Sequence, residues 1–217
     1  MARVSNVTND APQDGICLVG NAPTTGNEAA RIDAMKRVVR FNNAHGFGDV
    51  NGSRVTDLFL VNCGGQMREW LDDPAFATRK PMRETRRILL PIHPDKDERI
   101  APPLSAAERA DPDGANHADE ARMRFSAAGK EVIVVDEAVF LAACAVIGHP
   151  RIERAMPAPS TGLIALIWAL STFDEPIDVF GFGFDGWQGH RWAMERAFFH
   201  AKENEGRVRI HPPVSPV

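Results

Sequence analysis

The sequence predicts a single α/β domain: a mostly parallel, twisted sheet with helices on both faces, Rossmann-like in plan. Three observations predict it. Short, nearly continuous apolar runs alternate with helix-period stretches, as strands buried on both faces do. Several of these runs end in Gly or Asn just before a turn, the sequence habit of a strand feeding a loop and then a helix. Finally, a chain of 217 residues, 44% hydrophobic and 25% charged, is long enough for one core and too short for two ordinary domains.

The elements follow in chain order. Ile16-Cys-Leu-Val19 runs into Gly20 as a strand, a loop crosses Ala22 to Gly26, and Asn27 to Arg37 has helical periodicity. Val38 to Asn42 and Asp57 to Asn62 are two further strands separated by the Gly-rich turn His45 to Gly52, and Arg87 to Ile92 is another. Asp95 to Asn116 is dense in Asp, Pro and Ala without an apolar period, which marks residues 95–120 as a surface loop or lid. Glu131 to Val135 resumes the strands, and Ala138 to Ile147 is a short helix on the sheet. Ser160-Thr-Gly162 then opens the run Leu163 to Leu170, whose apolar character on all sides is that of a buried helix. Ile177 to Gly183 is a strand, Trp192 to Asn204 an amphipathic helix, and Arg207 to His211 the closing strand. The domain therefore spans 15–211, between flexible ends at 1–14 and 212–217.

Composition excludes several classes of function. A net charge of −4 lacks the clustered Lys and Arg that nucleic-acid binding requires. No apolar run approaches the roughly 18 residues that span a bilayer, and the first fifteen residues do not read as a signal peptide. A soluble cytoplasmic protein is expected, with peripheral attachment at an inner membrane compatible. Cys17, Cys63 and Cys144 are odd in number and have no CxxC pairing, so reduced thiols are expected, not a disulfide framework or a zinc site.

Parallel sheets bind ligands beyond the carboxyl ends of their strands, and the chemistry-bearing residues gather at such ends. Gly20 and Asn21 follow the first strand, where amides of the Ala22 to Gly26 loop could face an anion or equally form a plain turn. Asn42 ends the second strand, as a ligand contact or a turn cap. Ser160, Thr161 and Gly162 begin a helix whose first N–H groups have no intrahelical partner and suit a phosphate, although Ser or Thr is also an ordinary N-cap. Gly183 closes a Gly-rich strand end. His190 stands at the start of the last amphipathic helix, where the dipole favours a neutral imidazole able to accept a proton. Glu195 is about 140° further round an ideal helix and is read as bracing the first turn. Arg40 is given a structural role, paired with a carboxylate such as Asp33 or Asp57. Asp95-Lys-Asp97 and Asp111-Pro-Asp113 are read as solvated loop acids, and no metal site is assigned.

Taken together and in this order, these residues resemble the sialyltransferases of glycosyltransferase family 29. Cys17-Leu-Val-Gly-Asn21, Gly26, Ile32-Asp33, Val39-Arg-Phe-Asn42 and Thr56 follow the family's long motif, and Pro159-Ser-Thr-Gly162, Asp174-Glu175 and Val179-Phe-Gly-Phe-Gly183 its short motif. His190 with Glu195 matches a third signature, and the count from His190 to Val208-Arg-Ile210 is right for it. The resemblance implies a variant GT-A fold and inverting transfer from a CMP-activated acidic sugar, sialic acid or Kdo, without a cofactor or metal. It implies that Asn21 and Asn42 contact the nucleotide, that Ser160, Thr161, Gly162 and Gly183 hold its ribose, phosphate or base, and that His190 deprotonates a glycan or lipopolysaccharide-type acceptor. Two departures stand out. The family's His-Tyr motif is replaced by Phe184-Asp-Gly-Trp-Gln-Gly189, unless His190-Arg191-Trp192 is that motif and His200 with Glu205 the catalytic pair; spacing to the last strand favours His190. Animal members join the counterpart of Cys17 to a cysteine where this chain has Phe173. The rival readings are a catalytically silent CMP-binding module and a Rossmann-type oxidoreductase or methyltransferase, the latter weakened by the missing GxGxxG.

Overall fold

The computed structural model describes residues 13–24, 28–111, 114–153 and 156–214. A seven-stranded, all-parallel sheet forms its centre, in the order β5-β4-β3-β2-β1-β6-β7. The strands are β1 (Gln13–Val19), β2 (Met35–Phe41), β3 (Asp57–Phe59), β4 (Arg87–Leu90), β5 (Glu131–Val134), β6 (Ile177–Phe180) and β7 (Val208–His211). The helices are α1 (Glu28–Ala34), α2 (Gly65–Asp72), α3 (Lys80–Glu84), α4 (Ala106–Arg109), α5 (Ala118–Ala127), α6 (Glu137–Val146), α7 (Thr161–Thr172) and α8 (Trp192–Asn204).

Strand alternation divides the core between two faces. Ile16, Leu18, Val39, Phe41, Phe59 and Leu89 pack against α6, α7 and Phe199 of α8. Leu58, Leu60, Ile88 and Leu90 pack on the opposite side against α2, α3 and α5, and Cys17, Val19 and Val38 against Ile32 of α1. The two-faced α/β plan expected from the sequence is therefore present. Most differences are local. The first helix stops at Ala34, so Met35 to Arg37 belong to β2. The segment after Asp95 contains a 3-10 turn over Pro94–Arg99 and the capped helix α4, and α5 begins at Ala118, inside the expected loop. Of the chain ends expected at 1–14 and 212–217, Gln13 and Asp14 instead open β1, while 1–12 and 215–217, together with Gly26 and Asp113, lie outside the described residues.

Helix α7 shows how locally the sequence dictates structure. Ser160, in an extended conformation, accepts a hydrogen bond from Leu163 N–H and so caps the first turn. Leu163, Ile164 and Leu166 are fully buried against the sheet, each worth about 1.5–3 kcal/mol of apolar transfer. The helix ends where Phe173 returns to extended geometry, three residues before Pro176.

Candidate functional site

The chain steps outward from β1 to β5 with its helices on one face, then returns over the other face to β6. Strand order thus reverses between β1 and β6, and a doubly wound sheet opens a crevice at that reversal. Glycine is required there. A Cβ on Gly20 would lie 2.3 Å from the Gly181 carbonyl oxygen, and one on Gly181, at φ +65, would lie 2.6 Å from that of Ala22. Without side chains the two strand ends stay joined, Gly20 N–H donating to Phe180 O at 2.8 Å and Ala22 N–H to Gly181 O at 3.0 Å.

A cavity of about 300 Å³ sits over this junction, and Gly20, Asn21, Asn42, Ser160, Thr161, Gly162, Gly183 and His190 all line it. The structure therefore brings these eight residues, the ones assigned to the site from the sequence, to one place. Asn21 Oδ1 accepts from His45 N–H at 3.0 Å, and Asn42 Oδ1, on a residue at φ +52, accepts from Val61 N–H at 2.9 Å. Each side chain is fixed through its carbonyl, which leaves its NH2 group without a partner among the described residues. Gly162 is required by packing as well, because a Cβ there would meet the Phe182 ring at 2.7 Å.

Three expectations need correction. Ser160 is not a free donor: its N–H donates to Glu195 Oε1 at 2.9 Å and its hydroxyl to Glu195 Oε2, while the same oxygen caps Leu163. Glu195 is only 1% exposed, so it braces the first turn of α7 and not of its own helix. The open amides at this terminus are those of Thr161 and Gly162, which have no acceptor among the described residues. In the loop after β1, Ala22 N–H is used by Gly181, and Thr24 N–H donates to Asn51 Oδ1 at 3.0 Å, so neither is available to an anion. Arg40 has the expected structural role but a different partner. Buried on β2, its guanidinium donates to the backbone carbonyls of Arg54 at 2.8 Å, Asn51 at 2.6 Å and Gly52 at 3.1 Å, with Phe47 over its face. Burial pulls its pKa down to about 10, which leaves it charged at neutral pH. Asp33 instead accepts from the amides of Ser53 and Arg54, and Asp57 pairs with Arg87 and Arg37.

His190 lies two residues before α8. Its Nδ1 is 2.7 Å from the Ala158 carbonyl oxygen, and a carbonyl only accepts, so the proton sits on Nδ1. In the neutral ring Nε2 then carries the lone pair, and it has no partner among the described residues. Trp187 and Trp192 hold the ring edge-on from either side, each at a centroid distance of 4.8 Å. A second cavity, about 600 Å³, adjoins the first and shares Asn42, Thr161 and His190 with it. The alternative base, His200, is half exposed, bonds Glu203 and lines neither cavity, while Glu205 pairs with Lys202.

Sequence reasoning missed Phe182, Asp185 and Trp192 in the cavity wall, and Asn51 behind it. Asn51, fully buried, also donates to Ala22 O and His45 O, clipping the loop after β1 to the turn after β2. Its only signal was a polar residue inside a Gly-rich turn. Asp95 is exposed as expected, whereas Asp97 is not a solvated loop acid: only 20% of its side chain is exposed, and it pairs with Lys96 inside the 3-10 turn. All three cysteines are free, Cys17 and Cys144 buried.

A doubly wound, all-parallel sheet with a crevice at its strand reversal defines a Rossmann-like α/β domain. The chain belongs to glycosyltransferase family 29 (sialyltransferase), whose model matches residues 18–206. Its fold is similar to the crystal structure of a mammalian sialyltransferase, at TM-score 0.51 and 16% identity over 94% of this chain and 70% of that one. It is equally similar to a mammalian sialyltransferase in complex with Gal-beta-1-3GalNAc-ortho-nitrophenol, at TM-score 0.51 and 17% identity over 93% and 70%. Among curated proteins it is 28% identical, over 91% of this chain and 93% of the relative, to the urease operon 23 kDa accessory protein of Rhizobium meliloti (strain 1021). No helix among the described residues is long and apolar enough to cross a membrane.

Proposed function

We propose that this chain is an inverting, metal-independent glycosyltransferase that moves an acidic sugar of the sialic acid or Kdo type from a CMP donor to a glycan or lipopolysaccharide-type hydroxyl. The observation that carries the reading is the pairing, around one cavity, of the open Thr161 and Gly162 amides with an imidazole whose Nδ1 is committed to Ala158 O. The acceptor hydroxyl gives its proton to His190 Nε2 as its oxygen bonds to the anomeric carbon. The bond from that carbon to the CMP phosphate oxygen breaks in the same displacement, and the electron pair leaves on the phosphate. Two amides at a helix start stabilise that charge as it develops, so a single-phosphate donor needs no divalent ion. The NH2 groups of Asn21 and Asn42 are placed to donate to the nucleotide, and Gly183 leaves room for it beside Asp185.

The test uses the purified protein with CMP-sialic acid, CMP-Kdo and a mixed acceptor panel, in the presence of EDTA. His190→Ala should reduce transfer by about 10²–10⁴-fold, the span of general-base contributions, and preserve the thermal shift given by CMP. Undiminished turnover in that variant removes the role. A protein that binds CMP and neither transfers nor hydrolyses the donor is instead a nucleotide-binding module, a reading that suits the accessory role named for the Rhizobium relative.

A further inference from the structure

The opposite rim of the sheet, where the strands begin, opens a separate cavity of about 460 Å³. Its walls come from the starts of β1 to β5 and from the link between α7 and β6, and it shares no residue with the two cavities beside His190. Four cations and three carboxylates line it, and the pairing among them is uneven. The buried Asp57 is taken: Arg87 Nε donates to its Oδ1 at 2.6 Å, Arg87 Nη2 donates to the same oxygen, and the Thr56 hydroxyl donates to Oδ2 at 2.6 Å. Lys36 has only Asp14, at 3.1 Å in a pair 70% and 94% exposed, a contact of little strength in water. Arg86 is exposed, and its side chain has no hydrogen bond or ion pair among the described residues.

Arg37 is the informative member. Its guanidinium lies over the Phe173 ring, Cζ 5.1 Å from the centroid, and its Nη1 is 3.7 Å from Asp57 Oδ1. That separation is too long for a hydrogen bond, and none of its N–H groups has another acceptor among the described residues. Its side chain is nonetheless only 31% exposed. A guanidinium that has lost much of its water, with its plane fixed against an aromatic ring and its donors unused, is preorganised to grip an oxyanion along its edge. Glu131 and Glu175, both exposed on the same cavity, accept from no group among the described residues. Unfilled donors and unfilled acceptors in one cavity fit a ligand that carries both an oxyanion and hydroxyls. A bare phosphate would occupy a small part of a space in the range of sites for small organic ligands, and a dicarboxylate would meet Glu131 and Glu175 with like charge.

We propose that this cavity is a second ligand site, which takes a small phosphorylated polyol with its phosphate on the edge of Arg37, beside Arg86 and Lys36, and its hydroxyls on Glu131 and Glu175. The site stands whether or not the chain is a transferase. It is tested on the full chain by calorimetric titration, with and without CMP, using glucose 6-phosphate as the probe and inorganic phosphate and glucose as its two halves. Amide NMR shifts locate the binding. Glucose 6-phosphate should bind about tenfold or more tighter than inorganic phosphate, glucose should not bind, and the amides of Ile16, Arg37 and Arg87 should move while those of Thr161 and Gly162 stay. Arg37→Met and Arg86→Ala should each weaken binding about tenfold, the scale of one charge-assisted hydrogen bond, and leave the thermal shift given by CMP as it is in the parent. Arg37→Lys should recover little, because an ammonium lacks the planar fork. The Arg86 side chain has no partner whose loss would unfold the protein, so Arg86→Ala decides the matter if Arg37→Met does not fold. Failure of glucose 6-phosphate to bind, equal affinity for inorganic phosphate, full affinity in Arg86→Ala, or shifts confined to the Thr161 and Gly162 amides overturns the proposal.

Discussion

Replacing Arg40 by Met tests how far the donor side of the crevice depends on one buried cation. The substitution preserves much of the side-chain volume and removes the donors to the Arg54, Asn51 and Gly52 carbonyls. Each buried carbonyl left without a partner costs about 1–3 kcal/mol, so the gross loss is about 3–9 kcal/mol. Part of this returns, since the guanidinium no longer has to be desolvated and its Nη1, which has no partner, disappears. The expected net loss is about 3–5 kcal/mol, a large fraction of a typical domain stability. For a chain of this length that is a fall in Tm of about 6–20 °C. Arg40→Lys should recover little, because an ammonium cannot span the fork that three carbonyls on one turn require. Urea unfolding followed by circular dichroism measures the loss, and a thermal shift with CMP measures the site. An Arg40→Met protein within 1 kcal/mol of the parent would refute the idea that this side chain holds the turn.

Further outcomes follow from the same geometry. Gly20→Ala puts a Cβ 2.3 Å from a backbone oxygen that cannot turn aside, so it should part the ends of β1 and β6 and abolish the thermal shift with CMP, even where the protein still folds. Glu195→Ala leaves the buried Ser160 N–H without an acceptor and should lower stability by about 1–3 kcal/mol in urea titrations; no change would mean that Ser160 does not rely on it. For Cys63 burial raises the folded pKa to about 11, above the ordinary thiol value of 9.0, so the folded state holds its proton longer. Its contribution to stability is whole below about pH 9 and is lost as pH rises through about 11, and iodoacetamide labelling at that site should be slow at pH 7.5 and accelerate over the same interval.

The parts of this molecule that were legible in the sequence are those whose causes are local. Helix α8 runs over Trp192–Asn204, the bounds its periodicity predicts, and the apolar runs at Glu131 and Ile177 mark β5 and β6 at their first residues. The site was legible because every strand end in a parallel sheet faces the same rim, so Asn21, Asn42 and Gly183 needed only their strands to be found. What stayed hidden depends on contacts distant in sequence. Glu195 reaches a residue 35 positions away, and Arg40 finds carbonyls in a turn whose path no periodicity encodes. Helices α2 and α5 were overlooked because their outward faces are charged and their buried sets small: Met67, Trp70 and Leu71 in one, Ala118, Ala121 and Phe125 in the other.

The link between Glu195 and Ser160 does not act alone. Ala158 N–H donates to Gly189 O and His190 Nδ1–H to Ala158 O, so the turn before α8 and the start of α7 are riveted at three points. The imidazole and the two amides facing it must then travel as one block.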